Sequence, residues 1–402
     1  MKLENLAMPL AIIKEKDNHM ILLLFFTRGV SLETWVNQGL FNREKLIYEE
    51  HIRKNNFKKI FWVTYGTNDL ELSNKLKEQN KLNSDINILD MPKYFNIPKV
   101  GSYLFSLAIP FLYFSVFKTV DIFKTNQMDG AWVGVISRFI YNKPLIVRTG
   151  YTVSQLLCSK RNNKLRCIWF KFIEKFVYNN CDKAIVTSNH NVEYLKKNYQ
   201  IHKTNITVLP NYIDLSVFKP QSSVTKYSER VLYVGRLNSE KNLFNLIEAI
   251  AKVNYVLDIY GEGSQIKSQL IVLAKKHDVK INFFGVVANS ELSHIYTKYE
   301  YYVLPSFHEG MPKTLVEAMA SGCLCIGTNV AGINEIISNG VNGILAVDTS
   351  SRGIYDALKK AIDSDEKSKI IDMGISMVRE KYSLDLIVER ERLIFKEVED
   401  AE

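Results

Sequence analysis

Two glutamates, Glu309 and Glu317, stand eight residues apart in the run Glu309-Gly310-Met311-Pro312-Lys313-Thr314-Leu315-Val316-Glu317. An ionised carboxylate can only accept hydrogen bonds, so such a pair suits a ligand that offers hydroxyls. Tyr301–Ser306, just before, reads as a short buried strand, and Ala318–Ser321, just after, as a helix closed by Gly322. The pattern therefore places Glu309 on a strand-to-helix loop and Glu317 inside the helix. The first turn of that helix, around Lys313, Thr314 and Leu315, leaves backbone N–H groups without intrahelical partners and carries partial positive charge. Acids beside a phosphate-binding helix end fit a ligand with both phosphates and sugar hydroxyls, as in a nucleotide sugar. The plainer alternative is an acid set near a helix N-terminus for the dipole alone.

A second constellation lies upstream. Val231–Val234 reads as a buried strand ending in Gly235-Arg236, and Lys241 follows at the mouth of the next helix. A guanidinium fork and an ammonium at one sheet edge suit a diphosphate, although two ordinary surface cations would read the same way. Gly261-Glu262-Gly263 follows another buried strand, and Gly285 follows Phe283-Phe284, each glycine marking a close approach of backbone at a strand end. Neither has the G-x-G-x-x-G spacing of a dinucleotide fingerprint, which argues against a nicotinamide cofactor.

These residues need strands to end beside one another. Met20–Phe26, Lys59–Thr64, Leu145–Val147 and Ala184–Val186 are strand candidates, with helical periodicity in Thr34–Asn55 and Leu165–Tyr178. The second half repeats the rhythm: strands at Arg230–Val234, Tyr255–Tyr260, Lys280–Phe284, Tyr301–Leu304 and Cys323–Gly327; helices at Asn242–Val253, Gln265–Lys276, Thr314–Ala320 and Ile354–Ile362. Alternation of this kind predicts an α/β fold with two Rossmann-like domains, each a parallel sheet covered by helices. At 402 residues, two domains are the expectation. The boundary falls at the loop Leu209–Asp214, followed by Pro220-Gln221-Ser222-Ser223, giving domains 1–213 and 214–382.

The net charge of +9 is uneven: residues 1–213 carry 30 Lys and Arg against 17 Asp and Glu, whereas residues 214–402 carry 22 against 26. The basic half points to an anionic partner, and we read that partner as an anionic membrane surface rather than nucleic acid. Two segments support this. Val100–Phe117 is an 18-residue run without a charge, interrupted by Pro110, which reads as a buried or interfacial helix rather than a span. Lys160–Tyr178 mixes cations with aromatics that share a helical face; a core-facing helix with a basic outer face is the plainer reading. The apolar run Leu6–Ile13 is broken by Pro9 and followed by charges, unlike a signal peptide. Cys158, Cys167, Cys181, Cys323 and Cys325 show no CxxC spacing and read as free thiols of a cytoplasmic protein, peripheral to the inner face of the membrane. Asp363-Ser364-Asp365 has the spelling of a metal-binding Asp-x-Asp but sits at the polar end of a helix.

The order and spacing of Gly235-Arg236, Lys241, Gly261-Glu262-Gly263, Phe284-Gly285 and the Glu309–Glu317 run resemble the family-4 retaining glycosyltransferases (glycosyl transferases group 1) of the GT-B fold, and Ala331–Ile337 and Asn339–Gly343 extend the match. The close resemblance spans about residues 230–345, with a looser one over Phe26–Leu32. It implies two domains facing each other across a cleft, with Ser383–Glu402 crossing back onto the first as a helix. It implies a hexose-type sugar moving from a nucleotide diphosphate to an acceptor hydroxyl on a lipid-linked or cell-surface glycan, as in polysaccharide or lipopolysaccharide biosynthesis. The donor would sit in the C-terminal half and the acceptor in the N-terminal half. Arg236 and Lys241 would hold the donor diphosphate and Glu309 the transferred sugar near the reacting carbon. Glu317 would accept from the ribose, and the backbone of Gly235, Gly310, Met311, Thr314, Leu315, Gly261, Gly285 and, across the cleft, Gly29 would meet the donor. The anomeric configuration would be retained, a donor phosphate oxygen would take the acceptor proton, and no cofactor or metal would be needed.

The chain departs from related enzymes at Asp121–Gln127, where Lys124 and Asn126 stand in a stretch that often carries histidines, so no catalytic histidine is carried over. His308, beside Glu309, reads as structural. Two other functions fit the same fold: a nucleotide-sugar epimerase, which needs no acceptor, and a non-catalytic partner of another glycosyltransferase. The intact Arg236, Lys241, Glu309 and Glu317 argue against a dead site.

Overall fold

The computed structural model describes residues 20–150, 153–154, 164–199, 201, 205–221 and 223–401. The run Leu6–Ile13, Cys158, Lys160–Asn163 and Ser222 lie outside the described residues. The first sheet comprises β1 (Ile21–Phe25), β2 (Lys59–Val63), β3 (Ile86–Leu89), β4 (Ile122–Thr125), β5 (Leu145–Thr149), β6 (Lys183–Val186) and β7 (Ile206–Val208), in the order β3-β2-β1-β4-β5-β6-β7. The second comprises β8 (Tyr227–Val234), β9 (Val256–Tyr260), β10 (Ile281–Gly285), β11 (Tyr299–Leu304), β12 (Leu324–Thr328) and β13 (Ile344–Ala346), in the order β10-β9-β8-β11-β12-β13. Every pairing is parallel. Parallel strands buried on both faces read as continuous apolar runs, which is why Ile21–Phe25 and Leu324–Thr328 are conspicuous in sequence.

In each sheet the strand order reverses once, between β1 and β4 and between β8 and β11. The chain passes between the domains twice. Leu209–Asp214 leads out, and the Ile213 N–H donates to the Tyr382 carbonyl (2.7 Å), so both crossings are tied side by side. Helix Leu384–Glu399 then packs Ile387, Val388, Ile394, Phe395 and Val398 into the core of the first domain, against helix Phe41–Arg53. A second tie joins the domains elsewhere. Glu335 accepts the backbone N–H groups of Asn189 (2.8 Å) and His190 (3.1 Å), capping helix Asn189–Tyr199 from across the cleft.

Several expectations are corrected. The helical stretch Thr34–Asn55 is two helices, Leu32–Asn37 and Phe41–Arg53, split at Gly39, whose φ of +68° ends the first. The run Val100–Phe117 is broken at Tyr113 into Gly101–Leu112 and Phe114–Phe117. Twelve residues rise about 18 Å, short of a hydrocarbon core of about 30 Å, and no helix among the described residues is long and apolar enough to cross a membrane. Cys181, Cys323 and Cys325 are buried free thiols, but Cys167 is disulfide-bonded, which spacing without a motif cannot reveal because pairing depends on approach in three dimensions. Asp363 closes helix Ser351–Ile362 and pairs with Lys359 at 2.7 Å.

Candidate functional site

Open parallel sheets take ligands outside the carboxyl ends of the strands, where the strand order reverses. In the second domain that crevice lies beyond β8, which runs into Gly235-Arg236, and β11, which runs into Pro305–Glu309. A cleft of about 670 Å³ opens there. Its C-terminal wall includes Arg236, Lys241, His308, Glu309, Gly310 and Met311, and its N-terminal wall carries Arg43, Lys124, Asn126, Gln127 and Arg148.

Local contacts fix the two loops against each other. Lys241 ends a short 3₁₀ turn, Ser239–Lys241, closed by Asn242 in the left-handed region at φ +55°, a conformation asparagine tolerates. The buried Asn242 amide donates to the carbonyls of Pro305 (2.9 Å) and Thr349 (2.7 Å), and the Phe307 N–H donates to the Glu240 carbonyl (2.9 Å). This brings the Lys241 ammonium to 2.5 Å from Glu309 Oε1, which also accepts from the Ser306 hydroxyl at 2.6 Å. The pair is mostly buried, so it holds one geometry. From the other side Gly332, at φ +82°, presses on the same loop: a Cβ there would stand 2.2 Å from the Gly310 carbonyl oxygen.

The glycines at the strand ends pack on one another. The Gly261 N–H donates to the Gly285 carbonyl (2.7 Å), and a Cβ on Gly261 would lie 1.9 Å from the Gly235 oxygen. What approaches Gly261 so closely is therefore the neighbouring strand end. Helix Lys313–Ala320 has Pro312 at its N-cap and no side-chain cap, leaving its first N–H groups unclaimed by a capping side chain. Thr314 Oγ1 accepts from the Tyr302 hydroxyl (2.8 Å) and the Leu315 side chain is buried, so both can face a ligand only through backbone. Glu317 lies deeper, 2% exposed, with the Tyr296 hydroxyl 3.3 Å from Oε2. Burial pushes its carboxyl above the usual range, and the charges of Arg43 and Lys313 oppose that only in part. It lines a second cavity of about 270 Å³ with Asn42 and Asn289. Arg43 and Tyr212 line both cavities, so the two lie side by side.

Two family models match consecutive stretches of the chain: "Glycosyltransferase Family 4" over residues 63–217 and "Glycosyl transferases group 1" over residues 217–373. The chain belongs to the family-4 glycosyltransferases. Among solved structures it is similar to sucrose-phosphate synthase from Thermosynechococcus elongatus (TM-score 0.75, 17% identity, 96% of this chain and 100% of that one) and to Anabaena HepE crystallised with UDP and glucose (TM-score 0.72, 16% identity, 94% and 100%). At these identities the likeness establishes the fold, which is GT-B. Among curated relatives it is 26% identical over 243 residues to the Campylobacter jejuni N-acetylgalactosamine-N,N'-diacetylbacillosaminyl-diphospho-undecaprenol 4-alpha-N-acetylgalactosaminyltransferase (59% of this chain). It is 25% identical over 260 residues to the Escherichia coli UDP-Gal:alpha-D-GlcNAc-diphosphoundecaprenol alpha-1,3-galactosyltransferase (60% of this chain). The chain spans just under two thirds, 66%, of the length of each of these two relatives.

In this family-4 glycosyltransferase the first domain supplies cleft residues that spacing alone could not single out. Gly29 sits on the loop after β1 at φ +77° and is not among the residues lining the cleft; its neighbour Arg28 is held by Asp129 (2.9 Å). Asn126 and Gln127, past the end of β4, reach the cleft instead. Beneath them lies a buried charge cluster centred on Glu391 of the C-terminal helix. Its carboxylate accepts from Lys124 Nζ (2.6 Å) and pairs with His51 Nε2 (3.0 Å), with Arg148 Nη1 at 3.7 Å. The Asn56 amide donates to His51 Nδ1 (3.0 Å), so the ring proton sits on Nε2 and points at Glu391. Burial holds His51 below its ordinary value and so keeps it neutral near pH 7. Lys124, which departs from the family pattern, is thus turned away from open solvent by a residue of the last helix.

A further pair joins the domains: Lys313 Nζ lies 3.4 Å from Glu44 Oε1. Burial pushes the Glu44 carboxyl up, but the Lys313 and Arg43 cations outweigh burial and hold it at about 2 instead of 4.5. A depressed carboxylate stabilises the folded, clasped state fully above its unfolded value and loses that contribution as pH falls through the folded one. The melting-temperature gap between wild type and Glu44→Gln is therefore expected to hold steady near neutrality and to narrow once pH drops below 4.5 toward about 2. A gap that stays constant through that window contradicts the assignment.

Proposed function

We propose that the protein transfers a hexose-type sugar from a nucleotide diphosphate to a hydroxyl of a lipid-linked or cell-surface glycan, with retention at the anomeric carbon. The observation that carries this is the Lys241–Glu309 pair, set at a topological switch point with Arg236 beside it and an uncapped helix end behind it. In the reaction the bond from the anomeric carbon to the diphosphate oxygen breaks and the electron pair leaves with the diphosphate. Arg236, Lys241 and the N–H groups of the helix start stabilise that charge. The acceptor oxygen bonds to the same face, and its proton passes to a donor phosphate oxygen, so no protein base is required. These cations do at the leaving group what a metal does elsewhere, and turnover is expected to survive EDTA. The acceptor class is supported by the diphospho-undecaprenol named for both curated relatives.

Lys241 and Glu309 are partners through Oε1, so one ammonium serves both the carboxylate and an entering diphosphate, and Oε2 is left to the sugar hydroxyls. On this reading Glu309 acts on the transferred sugar and Glu317 on the ribose. Glu309→Gln is expected to cut kcat with the donor KM within a few fold, whereas Glu317→Ala chiefly raises the donor KM, because ribose contacts exist in ground and transition states alike. Initial-rate kinetics of both variants checks this, and the reverse pattern shows the two acids to be swapped. Thermal shift against a panel of nucleotide sugars identifies the donor, since a ligand at a hundred times its Kd raises stability by about 2.7 kcal/mol. A flat response across the panel counts against a donor site here.

A further inference from the structure

Exposed apolar side chains concentrate on one face of the first domain. Three crossover segments follow the carboxyl ends of β3, β4 and β5: Gly101–Leu112 with Phe114–Phe117, then Ala131–Tyr141, then Lys164–Asn179. The first packs on the second and the second on the third, so they form one layer. Their outer side carries large apolar side chains. Phe111 is 67% exposed, Leu165 84% and Trp169 60%, and Phe114, Phe139 and Phe172 are exposed beside them. Large apolar side chains exposed together on one layer mark a surface for a partner.

The charge on the same stretch is one-sided. Between Lys93 and Lys175 the chain has thirteen Lys and Arg against three acids; Lys124 and Arg148 face Glu391 and Arg138 pairs with Asp182, which leaves ten against three. None of the three acids is available to an outside partner. Glu174 is buried under Ser154 and Tyr199, Asp129 holds Arg28, and Asp121 accepts the Ile21 N–H. Lys99, Lys118, Arg166 and Lys175 are exposed among the aromatics, and the Lys118 ammonium lies 4.1 Å over the Phe114 ring. Aromatics interleaved with cations and free of acids match an interfacial surface: the rings enter the headgroup–acyl boundary and the ammonium groups meet anionic headgroups.

We propose that this face docks the enzyme reversibly on an anionic lipid bilayer. The geometry relates it to the cleft. The helices follow β3, β4 and β5 in the chain, and the Arg28 guanidinium, on the loop that follows β1, stacks 3.9 Å from the centre of the Tyr103 ring near the start of the first. A bilayer on this face lies near the loop after β1, which is one strand over from Asn126 and Gln127 of the cleft wall. The docking needs no donor or acceptor, so it stands or falls apart from the glycosyl-transfer reading.

Vesicle sedimentation of the full chain tests it, with phosphatidylglycerol–phosphatidylcholine vesicles against pure phosphatidylcholine. Binding is expected to the anionic vesicles only and to weaken as salt shortens the screening length from about 10 Å at 0.1 M to about 3 Å at 1 M. Phe111→Glu and the double change Trp169→Glu/Phe172→Glu are each expected to reduce the partition coefficient about tenfold or more. These side chains are exposed, so far-UV circular dichroism and melting temperature should not change. Val347→Glu, at an exposed apolar position of the second domain, is the control and should bind as wild type does. Absence of binding to anionic vesicles overturns the proposal and leaves the face to an acidic protein. Equal loss in Val347→Glu, or binding that resists both high salt and alkaline extraction, overturns it as well.

Discussion

Replacing Lys241 or Arg236 by alanine is expected to lower kcat by about a hundredfold or more, the scale for removing one preorganised charge contact from a developing anion. The two substitutions are not equivalent. Arg236 is exposed and lines the cleft, and its loss would remove the proposed contact to the leaving diphosphate. Lys241 is held 2.5 Å from Glu309 in a mostly buried pair, so Lys241→Ala also leaves the Glu309 carboxylate without its cation. Lys241→Arg is not expected to restore activity, because a planar fork cannot take the place of a point charge inside a site shaped by Ser306 and Asn242. Steady-state kinetics on folded variants decides this. Near-normal turnover in both alanine variants removes these residues from the chemistry.

Glu391→Ala is expected to destabilise the first domain by about 3–5 kcal/mol, because it leaves Lys124 buried without its counter-charge. That is a large share of a typical domain's stability of about 5–15 kcal/mol. Glu391→Gln keeps an acceptor for the His51 N–H but loses the charge, and should cost less. The damage should be local: amide hydrogen exchange should rise first along Leu384–Glu399, the helix that Glu391 anchors. A loss under about 1 kcal/mol, or unaltered exchange in that helix, shows that the cluster is not what holds the C-terminal helix down.

Residues whose signal is local were legible in the sequence. The glutamates at 309 and 317 sit on one strand–loop–helix unit, and Gly235-Arg236 and Lys241 on another, so spacing alone placed them relative to their own strands. The parallel sheets were legible because their central strands are continuous apolar runs. β4 was not, since Ile122–Thr125 is four residues long and contains Lys124, and a lysine inside a strand reads as solvent-facing until Glu391, 267 positions away, is known to meet it. β3, β7 and β13, of four, three and three residues, are too short to show a period. Of the N-terminal wall, Asn126 and Gln127 were noticed only through the resemblance, whereas Arg43 and Arg148 come from separate elements and share no motif. Gly332 was noticed only as part of a resemblance, and its physical role, pressing on the Gly310 carbonyl, depends on two loops meeting.

The proposed glycosyl transfer from a nucleotide diphosphate rests on Glu309, Lys241 and Arg236. The most direct test combines one reaction and two readouts. The protein is incubated with the donor found by thermal shift, with and without a diphosphate-linked lipid glycan; nucleoside diphosphate release is followed, and the product's anomeric proton is assigned by NMR. Release is expected to depend on the acceptor, to persist in EDTA and to yield a linkage with the donor's own anomeric configuration. Inversion at that carbon contradicts the proposed chemistry. Conversion of the donor sugar without acceptor marks an epimerase, and no release with any donor marks a fold kept for binding alone.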